Sequence, residues 1–272
     1  MAKWYSIHNN IAIKWGLEMI FESHAHYDDE AFDEDREELL LSFKENGIGT
    51  VINVGASLGS CRETTELMKR YSFIYGAVGV HPSETGELNE DNFKWLRSLC
   101  DLDKTVAVGE IGLDYHWPDP EPDTQKLWFE RQLQMAREVK LPVIIHSREA
   151  AKDTLDMMQA FHVGDIGGVI HCYSYTKEMA REYLNMDFYF GIGGVITFRN
   201  AKKLKEAVEY IPIEKILLET DSPYLAPEPN RGKRNSSLNL RYIAQEIAVI
   251  KDLDYEEVVA ITEQNAKRLF RV

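Results

Sequence analysis

A single-domain α/β protein with a closed (β/α)8 TIM barrel is the fold this sequence predicts, on three observations. The chain has 272 residues, near the roughly 250 that one such barrel commonly uses. From Met19 onward it repeats one phrase: a short β-branched or apolar run, a polar loop, then a helical pattern. No G-x-G-x-x-G follows the first run, where His24-Ala25-His26 stands instead. An open dinucleotide-binding sheet thereby loses its main support.

The predicted strands are 19–23, 50–54, 73–78, 105–109, 142–146, 167–171, 188–192 and 216–220. Their spacing is what a strand, a helix and two short loops require. Between them lie amphipathic segments. In 123–140, Phe129, Leu133, Ala136 and Val139 fall at helical spacing, with Glu130, Arg131, Arg137 and Glu138 among the polar positions. Gly47, Gly55 and Gly164 punctuate the joins. A Leu/Val/Ile-rich helix over 255–270 closes the chain. Alternating strands and helices imply a parallel sheet buried on both faces. Residues 1–18 read as an upstream extension that the fold does not need, leaving 19–272 as the barrel, with an extra strand or helix packed on the domain as the alternative. Their apolar stretch is broken by Lys14 and lacks a small-residue cleavage site, so it is not a signal peptide.

Composition narrows the function. Against 31 Lys and Arg stand 45 Asp and Glu, a net charge of −14. A globally basic nucleic-acid binder is excluded, although local basic loops are not. The three cysteines, Cys61, Cys100 and Cys172, are widely spaced and form no C-x-x-C pair. That argues against a disulfide framework or zinc finger and for a reducing compartment. No apolar run reaches the length of a membrane span. The expectation is a soluble, cytoplasmic monomer with no membrane attachment.

The informative pattern is where metal-capable residues fall. His24 and His26 sit at the end of the first predicted strand, Glu110 just after the fourth and His146 at the end of the fifth. His171 ends the sixth, and Asp221 follows the eighth. This is the barrel face on which such enzymes build active sites. An H-x-H pair alone is a weak signal, since isolated histidines usually serve structure. Residues two apart on an extended backbone point the same way, however, so the pair makes a pincer. Four partners at equivalent strand ends turn the weight toward metal. Glu110 lies between Gly109 and Ile111-Gly112, and a glutamate at sheet depth needs a cation or a proton to offset its desolvation. Asp221, in Asp221-Ser222-Pro223, has turn capping as its bland alternative. Cys172, by strand alternation from His171, is expected to face the helix layer and not to ligate. Four imidazoles and two carboxylates suit two divalent ions, drawn from Zn²⁺, Mg²⁺, Mn²⁺, Fe²⁺, Co²⁺ or Ni²⁺, with a carboxylate bridging them.

These residues stand in larger motifs: Phe21-Glu22-Ser23-His24-Ala25-His26, Gly79-Val80-His81-Pro82, Gly109-Glu110-Ile111-Gly112-Leu113-Asp114-Tyr115, Pro142-Val143-Ile144-Ile145-His146-Ser147-Arg148, His171-Cys172-Tyr173-Ser174 and Leu218-Glu219-Thr220-Asp221-Ser222-Pro223. Together with Arg231-Gly232-Lys233-Arg234-Asn235 and Asn265-Ala266-Lys267-Arg268-Leu269-Phe270, they resemble the TatD family of metal-dependent deoxyribonucleases among the amidohydrolase-like barrels. The resemblance covers essentially all of 19–270, and family members begin near Met19. It implies metal binding by the same six residues and 3′→5′ nuclease activity on DNA, with some members acting on RNA. Two departures stand out. Tyr175 replaces the glycine usual after the strand-6 serine, and Ser236-Ser237 replaces an acidic or small residue followed by proline. Both are expected to reshape the substrate mouth.

The predicted reaction is phosphodiester hydrolysis by metal-activated water, with Asp221 and Glu110 as catalytic carboxylates. His81 is a candidate phosphate contact or acid, with helix-entry chemistry before Pro82 as its equal alternative. Arg148, Arg231, Lys233 and Arg234 are expected to form a local positive funnel on an acidic body. So small a basic area predicts short or frayed ends rather than long duplex contacts, hence an exonuclease; with the polarity that the resemblance implies, the expected partner is single-stranded or frayed 3′ ends of DNA. Tyr115, Trp117 and Tyr175 are candidates for base stacking or for loop packing. Two alternatives remain open at this level. One is an ester or amide hydrolase on the same metal architecture, such as an aminoacyl-tRNA deacylase. The other is a non-catalytic binding protein that kept the barrel.

Overall fold

The computed structural model describes residues 19–272, so the expectation about 1–18 lies outside the described residues. Eight strands form one sheet in sequential order, every neighbouring pair parallel. They are β1 (Ile20–Ala25), β2 (Ile48–Val54), β3 (Ile74–Val78), β4 (Thr105–Asp114), β5 (Val143–Arg148), β6 (Gly168–Ile170), β7 (Tyr189–Ile192) and β8 (Ile216–Leu218). The eight predicted runs each overlap one of them. The barrel closes between the last strand and the first through a parallel bridge, Ala25 to Ser222. His26 N–H donates to Ser222 O at 2.8 Å and Asp221 N–H to His24 O at 3.0 Å.

Two boundaries differ from expectation in ways that matter. β4 does not stop at Gly109; it continues to pair with β5 through Gly112 opposite His146 and Asp114 opposite Arg148. Glu110 is therefore inside a strand, and the glycines that look like a terminus are close-approach positions. A Cβ on Gly112, whose φ is +150°, would lie 1.9 Å from His146 O. Conversely β6 and β8 end early, leaving His171 and Asp221 just beyond them.

The interior is filled by one or more residues from every strand, among them Phe21, Ile52, Ala77, Val106, Ile144, Val169, Tyr189 and Leu217. These pack with Ala266, Leu269 and Phe270 of the last helix (Tyr255–Phe270), where Phe21 and Phe270 stack. Strand alternation then puts the polar centre on top of this plug. Ile144 lies two residues before His146, Val169 two before His171, and Leu217 two before Glu219. Burying so much apolar surface beneath them holds the ligands on rigid strand ends rather than on mobile loops.

Candidate metal centre

All six expected ligands converge. Glu110 sits among them with its two oxygens facing different neighbours. Its Oε2 lies 3.5 Å from His24 Nε2 and 3.9 Å from His26 Nε2. Its Oε1 lies 2.7 Å from His146 Nδ1 and 3.7 Å from His171 Nε2. Asp221 Oδ1 completes the first group at 3.4 Å from His26 Nε2 and 3.8 Å from His24 Nε2, and stands 3.6 Å from His171 Nε2. His24 and His26, two apart on β1, bring their Nε2 atoms within 3.1 Å. The donor set thus divides into two half-sites sharing one carboxylate: His24, His26 and Asp221 on one side, His146 and His171 on the other.

The electrostatics fit cations. Burial opposes ionisation of Glu110, yet His171, His146 and His24 outweigh it and hold the carboxyl well below its usual range. Burial likewise works against Asp221, and His171, His26 and His24 keep it ionised. Against their own desolvation, His26 is pushed up to about 9, with Asp221 beside it, and His171 to about 10, by Glu219, Glu110 and Asp221. Carboxylates that draw protons onto neighbouring imidazoles this strongly would draw divalent ions in the same way. The residues present therefore fit the group that the donor chemistry implies.

Supporting contacts orient the ligands. His26 Nδ1 bonds Val54 O at 2.8 Å, which turns its Nε2 toward the centre. His146 Nε2 bonds Asp114 Oδ2 at 3.0 Å, which turns its Nδ1 toward Glu110. Glu22, wholly buried, accepts from Thr220 Oγ1 at 2.7 Å and from Ser237 Oγ at 2.8 Å. Burial pushes its carboxyl up to about 8. Tyr27 O–H bonds Ser237 Oγ at 2.7 Å and extends this chain. Ser237 is thus part of the foundation under the β1–β8 joint.

Above the centre opens a pocket of about 770 Å³ whose lining includes His26, Asp28, Asp29, His81, Glu84, Glu110, Asp114, Trp117, His146, Arg148, His171, Asp221, Tyr224 and Leu225. Trp117 and Tyr224 are half exposed at its rim. His81 takes the helix-entry role and also stands beside the centre. Its Nδ1 accepts from Ser83 N–H at 3.1 Å, capping the short helix that Pro82 opens, while its Nε2 stands 4.0 Å from Glu110 Oε1. Burial and the adjacent His146 push this imidazole down to about 3, so it is neutral.

Several expectations need correction. Arg231, Lys233 and Arg234 do not line the pocket. Arg234 is clamped on Asp35 through both terminal nitrogens and lies over the Phe32 ring, and Arg231 lies over Phe198. The acidic segment 28–35 competes for the loop's charge. Tyr175 donates to Ser147 O at 3.0 Å and Tyr115 to Asp153 at 2.9 Å, so both brace loops, and of the three aromatics only Trp117 lines the pocket. None of Tyr175, Ser236 and Ser237 is among the residues lining the pocket. Cys172 does not turn toward the helices. With β6 ended and its own φ at +46°, alternation no longer applies, and Sγ lies within 4.8 Å of ligand atoms of His171 and Asp221. Asp114 and Glu219 were missed as supports, although Asp114 follows Glu110 by four and Glu219 precedes Asp221 by two, the spacing of one strand face.

Comparison with known proteins agrees with this geometry. The family model described as TatD related DNase matches residues 21–271. An uncharacterized metal-dependent hydrolase, YabD of Bacillus subtilis, is 41% identical over 254 residues, covering 93% of this chain and 100% of that one. A protein named 3′-5′ ssDNA/RNA exonuclease TatD, from Cronobacter sakazakii, is 33% identical over 88% of this chain and 93% of its own. The crystal structure of YJJV, a TatD homolog from Escherichia coli, superposes with a TM-score of 0.89 at 26% identity, covering 94% of this chain and all of that one. The chain belongs to the TatD-related DNase family and is a metal-dependent hydrolase built on a (β/α)8 barrel.

Proposed function

We propose that this hydrolase is a 3′→5′ exonuclease that removes nucleotides from single-stranded or frayed DNA ends, with RNA as a second substrate. The observation that carries the reading is Glu110, which offers one oxygen to each of two half-sites. Such a pair is suited to a reaction in which the attacking and leaving oxygens both need charge compensation. Two divalent ions held by the six ligands would supply that compensation and lower the pKa of the attacking water. The chain's own residues do the rest. Asp221, ionised and beside both half-sites, accepts the water's proton. Among the described residues, Arg148 presents the only guanidinium or ammonium group in the pocket lining, and it orients one phosphate. The carboxylates of Asp28, Asp29 and Glu84 oppose further phosphates, which favours a chain end over a long internal tract. Trp117 and Tyr224 offer rings against which a terminal base can stack.

The test is turnover of a single-stranded oligonucleotide labelled at its 5′ end, across Mg²⁺, Mn²⁺, Zn²⁺ and Co²⁺, beside Asp221→Asn. A ladder shortening from the 3′ end, lost by at least 100-fold in the variant, is the expected result. No turnover with any ion, alongside cleavage of an aminoacyl ester, would replace the phosphodiester reading with the ester one.

A further inference from the structure

Behind the centre, three buried polar atoms have no hydrogen-bond partner among the described residues: His24 Nδ1, His171 Nδ1 and Glu219 Oε2. Ligand-capable atoms of these three residues lie within 4.8 Å of one another. The two imidazoles stack nearly parallel, with centroids 3.5 Å apart and planes 18° apart. Their Nε2 atoms both face Glu110, at 3.5 and 3.7 Å, so their Nδ1 edges point away from it. Glu219 occupies that far side. Its Oε1 accepts from Cys172 N–H at 2.6 Å and stands 3.1 Å from His171 Nδ1, out of hydrogen-bond alignment. The carboxylate fits there because residue 191 is glycine: a Cβ at Gly191 would lie 1.9 Å from Glu219 Oε2.

Buried polar atoms carry a large penalty unless they pair. One arrangement pairs all three with small side-chain rotations: each imidazole carries its proton on Nδ1 and directs it at the single carboxylate. Both Nε2 lone pairs are then free for ions. We propose that Glu219 is a positioning residue for both half-sites at once, fixing the ligating tautomer of His24 in one and of His171 in the other. Asp114 is the contrast, since among the six ligands its side chain bonds His146 alone and so serves one half-site. The proposal rests on the two-half-site reading of the centre.

The experiment is a Zn²⁺ titration of metal-free protein against a chromophoric chelator, for wild type, Glu219→Gln, Glu219→Asp and Asp114→Asn. Wild type should take up two ions in resolvable steps. Glu219→Gln keeps an oxygen for Cys172 N–H but turns an amide N–H toward the rings. Both steps should weaken, by about 10- to 100-fold, while Asp114→Asn weakens one. Glu219→Asp withdraws the carboxylate and should reproduce the double loss, which keeps the test open if the glutamine variant folds poorly. Melting of the metal-free variants separates this from a general loss of structure, which would lower all transitions together. Loss confined to one step, or no loss, overturns the proposal while leaving two-ion binding intact. A wild type that takes up only one ion overturns the underlying reading instead.

Discussion

Replacing Arg148 by alanine isolates the question of how so acidic a protein would hold the proposed polyanionic substrate. Among the described residues, the pocket lining holds six carboxylates, from Asp28, Asp29, Glu84, Glu110, Asp114 and Asp221, and one guanidinium. A hydrogen bond to a charged partner contributes about 1.5–3 kcal/mol, so its loss should lower kcat/KM by roughly 10- to 100-fold. The loss should fall mainly on KM if Arg148 holds a phosphate that does not react, and on kcat if it holds the scissile one. The slope of log(kcat/KM) against log salt should also become shallower by about one phosphate contact. The control is the triple variant Arg231→Ala, Lys233→Ala, Arg234→Ala, which removes three charges outside the pocket and should change kcat/KM by less than about threefold at moderate salt. Steady-state kinetics on a single-stranded oligonucleotide at two ionic strengths measures all of this. A neutral Arg148 variant beside a tenfold loss in the triple variant would refute the reasoning and restore the 231–234 loop as the substrate contact.

Two further outcomes follow from the same geometry. Ions that bind only the folded centre stabilise it by about 2.7 kcal/mol per site at 100 times Kd; chelation should therefore lower the melting temperature by on the order of 5–10 °C, and an unchanged transition in calorimetry would contradict buried ligation. Gly112→Ala places a Cβ against the His146 carbonyl at a φ of +150° and should cost about 3 kcal/mol or more, read as a lower denaturation midpoint; a midpoint equal to wild type would mean that the β4–β5 approach can relax.

The barrel was legible because eight apolar runs at regular spacing leave few other architectures, and the ligands because they recur at one end of those runs. Where strands actually stop was less legible. After a register shift at Gly109-Glu110, ladder pairing resumes from Ile111 to Asp114 on β4, and nothing in hydropathy signals it. The error over Cys172 has the same source, because alternation is a rule for extended backbone and that residue is left-handed. The basic loop shows a different limit. Its charges are visible in sequence, but their partners, Asp35 and the rings of Phe32 and Phe198, are nearly 200 and about 33 residues away along the chain. Local charge does not reveal which cations are already neutralised by the fold.

The joint between β1 and β8 has a consequence for biogenesis. His24 and His26 emerge early and Asp221 late, and the three meet only when the final strand docks beside the first, where the Asp221 amide binds the His24 carbonyl. A nascent or truncated polypeptide lacking that seam cannot bring His24 and His26 to Asp221. Filling of that half-site is thereby tied to closure of the ring.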